Sequence, residues 1–466
     1  MPNHRLSINA FQSYWDSQLE SSLNYGTEGP GGAFVGHLSN YGNVYSNAFG
    51  KSSVANNVDF TTTTACGVRS VTKVITAALS ARAEQAAPGF FGSQLGDHSV
   101  ITSNITRWEN RFVPADARAA GAAGRRPPVH LTATINEIAT HTGNLWEIGK
   151  WRDQATGKWR PCYSAARDYR LGGRWSEYES ADNLIALKNL METLESVDDI
   201  VAMAGAVLSG INDPYNKPAP YFTYNDKAGW LEAACVEQVL GDSWFNLVRD
   251  QFASMGLSNA SHPSQDGNQA YFKSGDDWLP YFKGHNANPV EIPGLAVAYN
   301  PGPTTAENPL GLYIESEQST ESGYAIGCGV MSAEDLNLWS RELRWPGATG
   351  YLSQTGIDDM FSAQSGFSDV TPANGTRWPG INWGHGVQKM APVTDLNGNP
   401  IETWGSIGQG GFGGYGGATV WVAGRDPWNS VDSNLAISAV TNLGMTVADV
   451  YAMAQDFAAN FMLAKS

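Results

Sequence analysis

Cys66-Gly67-Val68-Arg69-Ser70-Val71-Thr72-Lys73-Val74-Ile75-Thr76-Ala77 is the stretch on which the reading of the whole chain turns. Gly67 reads as a flexible turn. From Ser70 onward Val71, Val74, Ile75 and Leu79 recur at helical spacing, which predicts a helix. Positions i and i+3 share a helix face, so Ser70 falls in the first turn with the Lys73 amine one turn along, aimed at the same space. A serine hydroxyl is a poor nucleophile until a base takes its proton. A lysine amine is a poor base at neutral pH unless burial disfavours its charge. One semi-buried cleft holding both groups answers both needs. Taken alone, Ser-x-x-Lys is a weak signal, and its bland reading is an ordinary surface turn of helix.

Composition sets the frame. The chain has 466 residues, 42% of them hydrophobic, with 51 glycines and 16 tryptophans, enough to bury a large core. Only 16% are charged, too few for a disordered chain. A net charge of −16 argues against a nucleic-acid surface, because phosphates would be repelled. Arg125-Arg126, the nearest thing to a basic cluster, runs into Pro127-Pro128 and reads as a loop. No apolar leader follows Met1, and no apolar run of about 18 residues occurs. The expectation is a soluble, cytoplasmic chain without membrane contact, although a processed secreted form would look the same. Cys66, Cys162, Cys235 and Cys328 form no Cys-x-x-Cys pair, and the histidines show no metal-binding spacing, so neither metal nor cofactor is expected. The glycine-rich Gly405–Gly417 lacks the lysine of a phosphate cradle.

Along the chain, 7–22 reads as an amphipathic helix with Leu6, Phe11, Trp15 and Leu19 on one side. Strands are predicted at Ala33–Leu38 and Asn43–Phe49 around the turn Asn40-Tyr41-Gly42. From about 81 to 200 the pattern is helical pieces broken by loops, notably Ala115–Pro128 and the aromatic, charged Trp146–Trp175. Helices are predicted over 197–210, 227–240, 243–255 and 335–343. The last hundred residues alternate like antiparallel strands, with a hairpin turn at Asp395-Leu396-Asn397-Gly398-Asn399. A closing helix over Thr446–Leu463 lines up Val447, Val450, Met453, Phe457 and Phe461. The simplest architecture is an α/β (α+β) unit: one antiparallel sheet built from both termini, flanked by terminal helices, with a helical region inserted. We place the sheet region at 1–66 and 366–466 and the mainly helical region, with its long loops, at 67–365, as one compact catalytic unit.

Downstream, Tyr221-Phe222-Thr223-Tyr224-Asn225-Asp226 precedes a helix, and here the chain resembles the serine β-lactamase and penicillin-binding-protein superfamily. The likeness is to its branch of class C β-lactamases, family VIII esterases and D-aminopeptidases, where Ser-x-x-Lys is followed by Tyr-Ser-Asn and a glycine-rich strand. Ile135–Leu145, Phe252–Leu257, Gly327–Leu336 and Gly405–Trp421 resemble further family stretches in the family's order. The resemblance implies a β-lactamase/transpeptidase-like fold and a catalytic set of Ser70, Lys73 and Tyr224, the phenol acting as base or proton relay. Asp226 falls where the family carries Asn, and a carboxylate there would hold Lys73 protonated. We align Ser406-Ile407-Gly408 with the third motif, which has lost the cation that binds a substrate carboxylate. That loss argues against β-lactams and peptidoglycan stems as main substrates. The oxyanion donors implied are the amides of Ser70 and Gln409. His385, alternating within a strand, is a candidate to face the cleft, while His141 reads as a core or capping histidine.

The function expected is therefore a serine hydrolase cleaving an ester or amide bond of a small molecule through an acyl-enzyme on Ser70. One alternative is an acyltransferase of specialised metabolism with the same acyl-enzyme. The other is a non-catalytic binding protein that keeps the fold. The aromatic stretches Trp146–Trp175 and Asp276–Phe282 suit an apolar rim and equally suit ordinary loop packing.

Overall fold

The computed structural model describes residues 7–22, 28–103, 132–143, 150–152, 159–161, 226–258, 294–301, 312–314, 325, 327, 329–345, 350–362, 382–409, 415–429, 431–443 and 447–465. Helix α1 (Ile8–Ser22) buries Phe11, Trp15 and Leu19, the stripe that the spacing predicts. Strands β1 (Gly32–Leu38) and β2 (Gly42–Phe49) follow and reverse at Gly42, whose φ of 74° suits glycine. A small ribbon, β3 (Lys51–Ser53) with β4 (Val58–Asp59), leads to β5 (Cys66–Gly67), a 3-10 turn (Arg69–Val71) and α2 (Thr72–Ala86). The inserted region contributes α3 (Ile135–Ala139), the ribbon β6 (Lys150–Arg152) with β7 (Trp159–Pro161), α4 (Asp226–Leu240) and α5 (Trp244–Ser254). The ribbon β8 (Tyr299–Pro301) with β9 (Leu312–Ile314), β10 (Val330–Met331), α6 (Ala333–Arg344) and α7 (Gln354–Met360) come next. Strands β11 (Asn382–Trp383), β12 (Gln388–Thr394), β13 (Pro400–Gln409), β14 (Gly416–Arg425) and β15 (Asp432–Thr441) precede the last helix, α8 (Val447–Phe461).

Among the described residues, seven strands form one antiparallel sheet in the order β11-β12-β13-β14-β15-β1-β2. Its centre joins the two ends of the chain: β1 runs against β15 from Gly32 opposite Thr441 to Leu38 opposite Leu435. Phe34, Ile401, Val420 and Ile437 point to one face, against Phe11 and Trp15 of α1 and Phe457 and Phe461 of α8. Val35, Trp404, Trp421 and Ala436 point to the other, against Leu336 and Trp339 of α6 and the core of α2. Both faces are covered, so β14 reads as a nearly continuous buried run rather than a clean alternation. On the α6 side Asn337 Nδ2 donates to Val35 O and Ala436 O, stitching helix to sheet.

The hairpin signal between β12 and β13 is met by Asp395, whose Oδ1 accepts from Asn397 N and Asn399 N, with Gly398 at a φ of 84°. Three expectations need correction. Gly67 is a strand residue, and its lack of a side chain serves close packing: a Cβ there would stand 2.6 Å from Tyr415 Cδ2. Ser70 lies in the 3-10 turn that leads into α2, one step before the α-helix proper. Within Trp146–Trp175 the chain forms the β6–β7 ribbon where only a loop was expected. The helix expected over 197–210 and the loops Ala115–Pro128 and Asp276–Phe282 lie outside the described residues. No described helix is long and apolar enough to cross a membrane.

Candidate active site

The turn that carries Ser70 is tied down before its helix begins. β5 pairs with β10, and Val68 N donates to Gly329 O at 2.9 Å. Gly329 N in turn donates to Thr72 Oγ1 at 2.9 Å. One turn on, Thr76 Oγ1 donates to Ala325 O at 2.7 Å and accepts from Trp244 Nε1 at 3.0 Å. α2 is buried nearly all round, so polar groups on it need such partners. The Gly327–Leu336 stretch supplies the β10 and Gly329 part of this clamp and then starts α6, with Ser332 Oγ accepting from Asp335 N.

Arg69 holds a φ of 51°, a left-handed conformation that is unusual for a residue with a side chain. Ser70 follows, half-buried, and Lys73 is only 5% exposed. Lys73 Nζ donates to Ser70 Oγ at 3.0 Å, as the i, i+3 spacing requires.

Opposite stands the end of β13. A Cβ on Gly408 would lie 1.9 Å from Val68 O, 2.6 Å from Ser70 N and 2.8 Å from Arg69 Cβ, so only glycine lets the strand come this close. Trp404 faces the helical side of the sheet while Ile407 faces the α1 and α8 core. By the period of two, Ser406 and Gly408 face the same side as Trp404, and Ser406 is buried. β12 pairs with β13 only as far as Gln388 opposite Gly405. The outer backbone edge of Ser406–Gln409 therefore has no strand partner among the described residues, and it can accept an extended substrate segment. Gln409 ends β13 opposite Gly416, and Asp226 opens α4. The side chains of Gln409 and Asp226, and the whole of Tyr224, lie outside the described residues.

The cleft-facing expectation for His385 is corrected. It is 3% exposed, with Nε2 2.7 Å from Asn136 Oδ1 and its ring 4.3 Å from that of Phe91. Its amide donates to Met360 O, so it welds the β11–β12 connection to α3 and α7. Burial pushes its pKa down to about 4, and the ring is neutral at physiological pH. His141 is a core residue, edge-on to Trp383 at 5.3 Å.

One buried group escapes the sequence reading altogether. Ser80 Oγ of α2 donates to Glu232 Oε1 of α4 at 2.6 Å, and burial raises the Glu232 carboxyl to about 7. Burial, reinforced by that carboxyl, also pushes the neighbouring Cys235 thiol well up. The available signal was an acid within the apolar run Trp230-Leu231-Glu232-Ala233-Ala234-Cys235. Among the described residues, no three His, Cys, Asp or Glu gather as a metal-ligand set.

No protein-family model matches this sequence, and a comparison with curated protein sequences gives no match. Solved structures are similar in three dimensions. A penicillin-binding protein homologue from Pyrococcus abyssi, described as octameric, superposes with a TM-score of 0.58 at 16% identity, covering 96% of this chain and 77% of its own. D-amino acid amidase from Ochrobactrum anthropi SV3, complexed with L-phenylalanine amide, gives 0.53 at 15% identity, covering 96% and 97%. A class C β-lactamase gives 0.53 at 11% identity, covering 96% and 95%. The chain thus has the fold shared by penicillin-binding proteins, class C β-lactamases and D-amino acid amidase.

Proposed function

We propose that the protein is a serine hydrolase that cleaves an ester or amide bond of a small molecule through an acyl-enzyme on Ser70. The observation that carries this reading is the 3.0 Å bond from Lys73 Nζ to Ser70 Oγ, formed where Gly408 brings β13 against Ser70 N. In this reading Ser70 Oγ attacks the substrate carbonyl and passes its proton to the Lys73–Tyr224 pair. The Ser70 and Gln409 amides hold the oxyanion, a contribution of typically 10²–10³-fold in rate per donor. The alcohol or amine leaves with that proton, and water then hydrolyses the ester on Ser70. Asp226, at the start of α4, fits the role of holding Lys73 charged, which would leave Tyr224 as the base. The resemblance of fold to an amidase supports an amide or ester substrate.

The test is intact-protein mass spectrometry after exposure to a fluorophosphonate and a panel of activated esters. Ser70 should carry the adduct. Ser70→Ala should take up none and turn nothing over while melting at the wild-type temperature. Turnover within a few-fold of wild type in that variant would sink the mechanism.

A further inference from the structure

Arg69 directly precedes Ser70, its Cβ would lie 2.8 Å from a Cβ on Gly408, and its conformation is one that a glycine would adopt with less strain, at a φ of 51°. Its side chain is well employed there. Nε donates to Tyr415 O at 3.4 Å, and the guanidinium carbon lies 5.7 Å from the centre of the Tyr415 ring, within range of a cation–π contact. Tyr415 is itself immobilised. Its ring lies on Gly67, its hydroxyl donates to Ala296 O, and Ala296 N donates to Ala65 O just before β5. The residue after Tyr415, Gly416, is the strand partner of Gln409. The next, Gly417, packs so tightly that a Cβ there would stand 2.9 Å from Val68 Cα.

The end of the hairpin where the chain passes from β13 to β14 therefore rests directly on the turn Val68–Ser70, and Arg69 reaches from that turn to the carbonyl just before β14. Resting on the serine-hydrolase reading above, we infer that Arg69 is a positioning residue: it locks the hairpin end to the nucleophile's turn and so sets the separation of the Ser70 and Gln409 amides. A donor pair must match the place where the oxyanion forms, and misplacement by about an ångström costs up to about 100-fold in rate. The clamp explains why a cation occupies a strained position directly before the nucleophile, yet is not itself a group that touches the reacting atoms.

The experiment compares wild type, Arg69→Gly and Arg69→Lys by fluorophosphonate labelling rate, by kcat and KM on an activated ester that wild type turns over, and by thermal melting. Arg69→Gly relieves the backbone and removes the clamp. It should melt within a few degrees of wild type, keep KM, and acylate Ser70 about 10- to 100-fold more slowly. Arg69→Lys keeps a cation over the Tyr415 ring and should recover part of the rate. Labelling of Arg69→Gly at the wild-type rate would overturn the proposal. So would a parallel fall in melting temperature and rate with no recovery in Arg69→Lys, since that pattern marks a folding role. Absence of any Ser70 adduct in wild type would instead overturn the hydrolase reading on which the proposal rests.

Discussion

A methyl group added at Gly408 would meet Val68 O, Ser70 N and the Arg69 Cβ, and two of these are backbone atoms that cannot swing aside. Gly408→Ala is therefore expected to push β13 away from the turn that carries Ser70. The cost in stability should be about 1–3 kcal/mol by overpacking. The larger effect should be loss of Ser70 acylation, read by labelling at a temperature where the variant is still folded. Gly92→Ala is the control, because nothing lies within 4 Å of its added Cβ, and it should behave as wild type in both assays. At the second motif, Tyr224→Phe removes the proposed proton carrier and should lower kcat by about 10²–10⁴-fold. A pH–rate profile of that variant beside Asp226→Asn separates the roles. Near-full activity in Tyr224→Phe would make Tyr224 a packing residue.

Helices α2 and α4 lie against each other, and Ser80 is bonded to Glu232 deep in the contact. Burial raises the Glu232 carboxyl from its ordinary 4.5 to about 7, so the folded protein keeps a proton there that the unfolded chain has lost. Its contribution to stability is present below pH 4.5 and falls away as pH rises to about 7. The total is on the order of 3 kcal/mol at 1.36 kcal/mol per unit. Where α3 and α7 meet the β11–β12 connection, His385 works in the opposite sense. Burial lowers its pKa from 6.5 to about 4, so its contribution is present above pH 6.5 and is lost as pH falls toward 4. Between pH 4.5 and 6.5 the two slopes oppose each other. Urea denaturation across that window should show wild-type stability changing little from this pair. Glu232→Gln should restore a rise with pH, and His385→Gln should produce a fall. Identical pH dependence in all three proteins would show that neither group titrates as its burial dictates.

Seen as a whole, the molecule separates its two cores by the sheet. Phe457 belongs to the α1 and α8 side, edge-on to Phe11 at 5.3 Å, while Ser70 and Lys73 lie on the α2 side. Phe457→Ala should cost about 3–5 kcal/mol of stability and leave the rate of Ser70 labelling unchanged below its melting transition. A proportional loss of both would mean that the two faces are coupled through the sheet. Much of this organisation was legible in the sequence. The Ser70–Lys73 spacing, the Phe11, Trp15 and Leu19 stripe, the Asp395–Asn399 turn and the apolar face of the last helix rest on local periods and turn chemistry, which neighbouring residues carry by themselves. Tertiary structure alone decided other features. Gly67 is a close-packing residue under Tyr415 and not a flexible turn, Gly408 is the point of contact with Ser70 N, and His385 is a buried junction. Glu232 is a carboxyl closed in between two helices, with Ser80 bonded to it. These depend on partners hundreds of positions away, such as Val68 with Gly408 or His385 with Asn136, and no local pattern records which distant backbone will approach. The sequence by itself determined which groups could do the chemistry. Burial and close approach, which exist only once both ends of the chain share one sheet, decided that Gly408 meets Ser70 N, that His385 is neutral and that Glu232 holds its proton toward neutral pH.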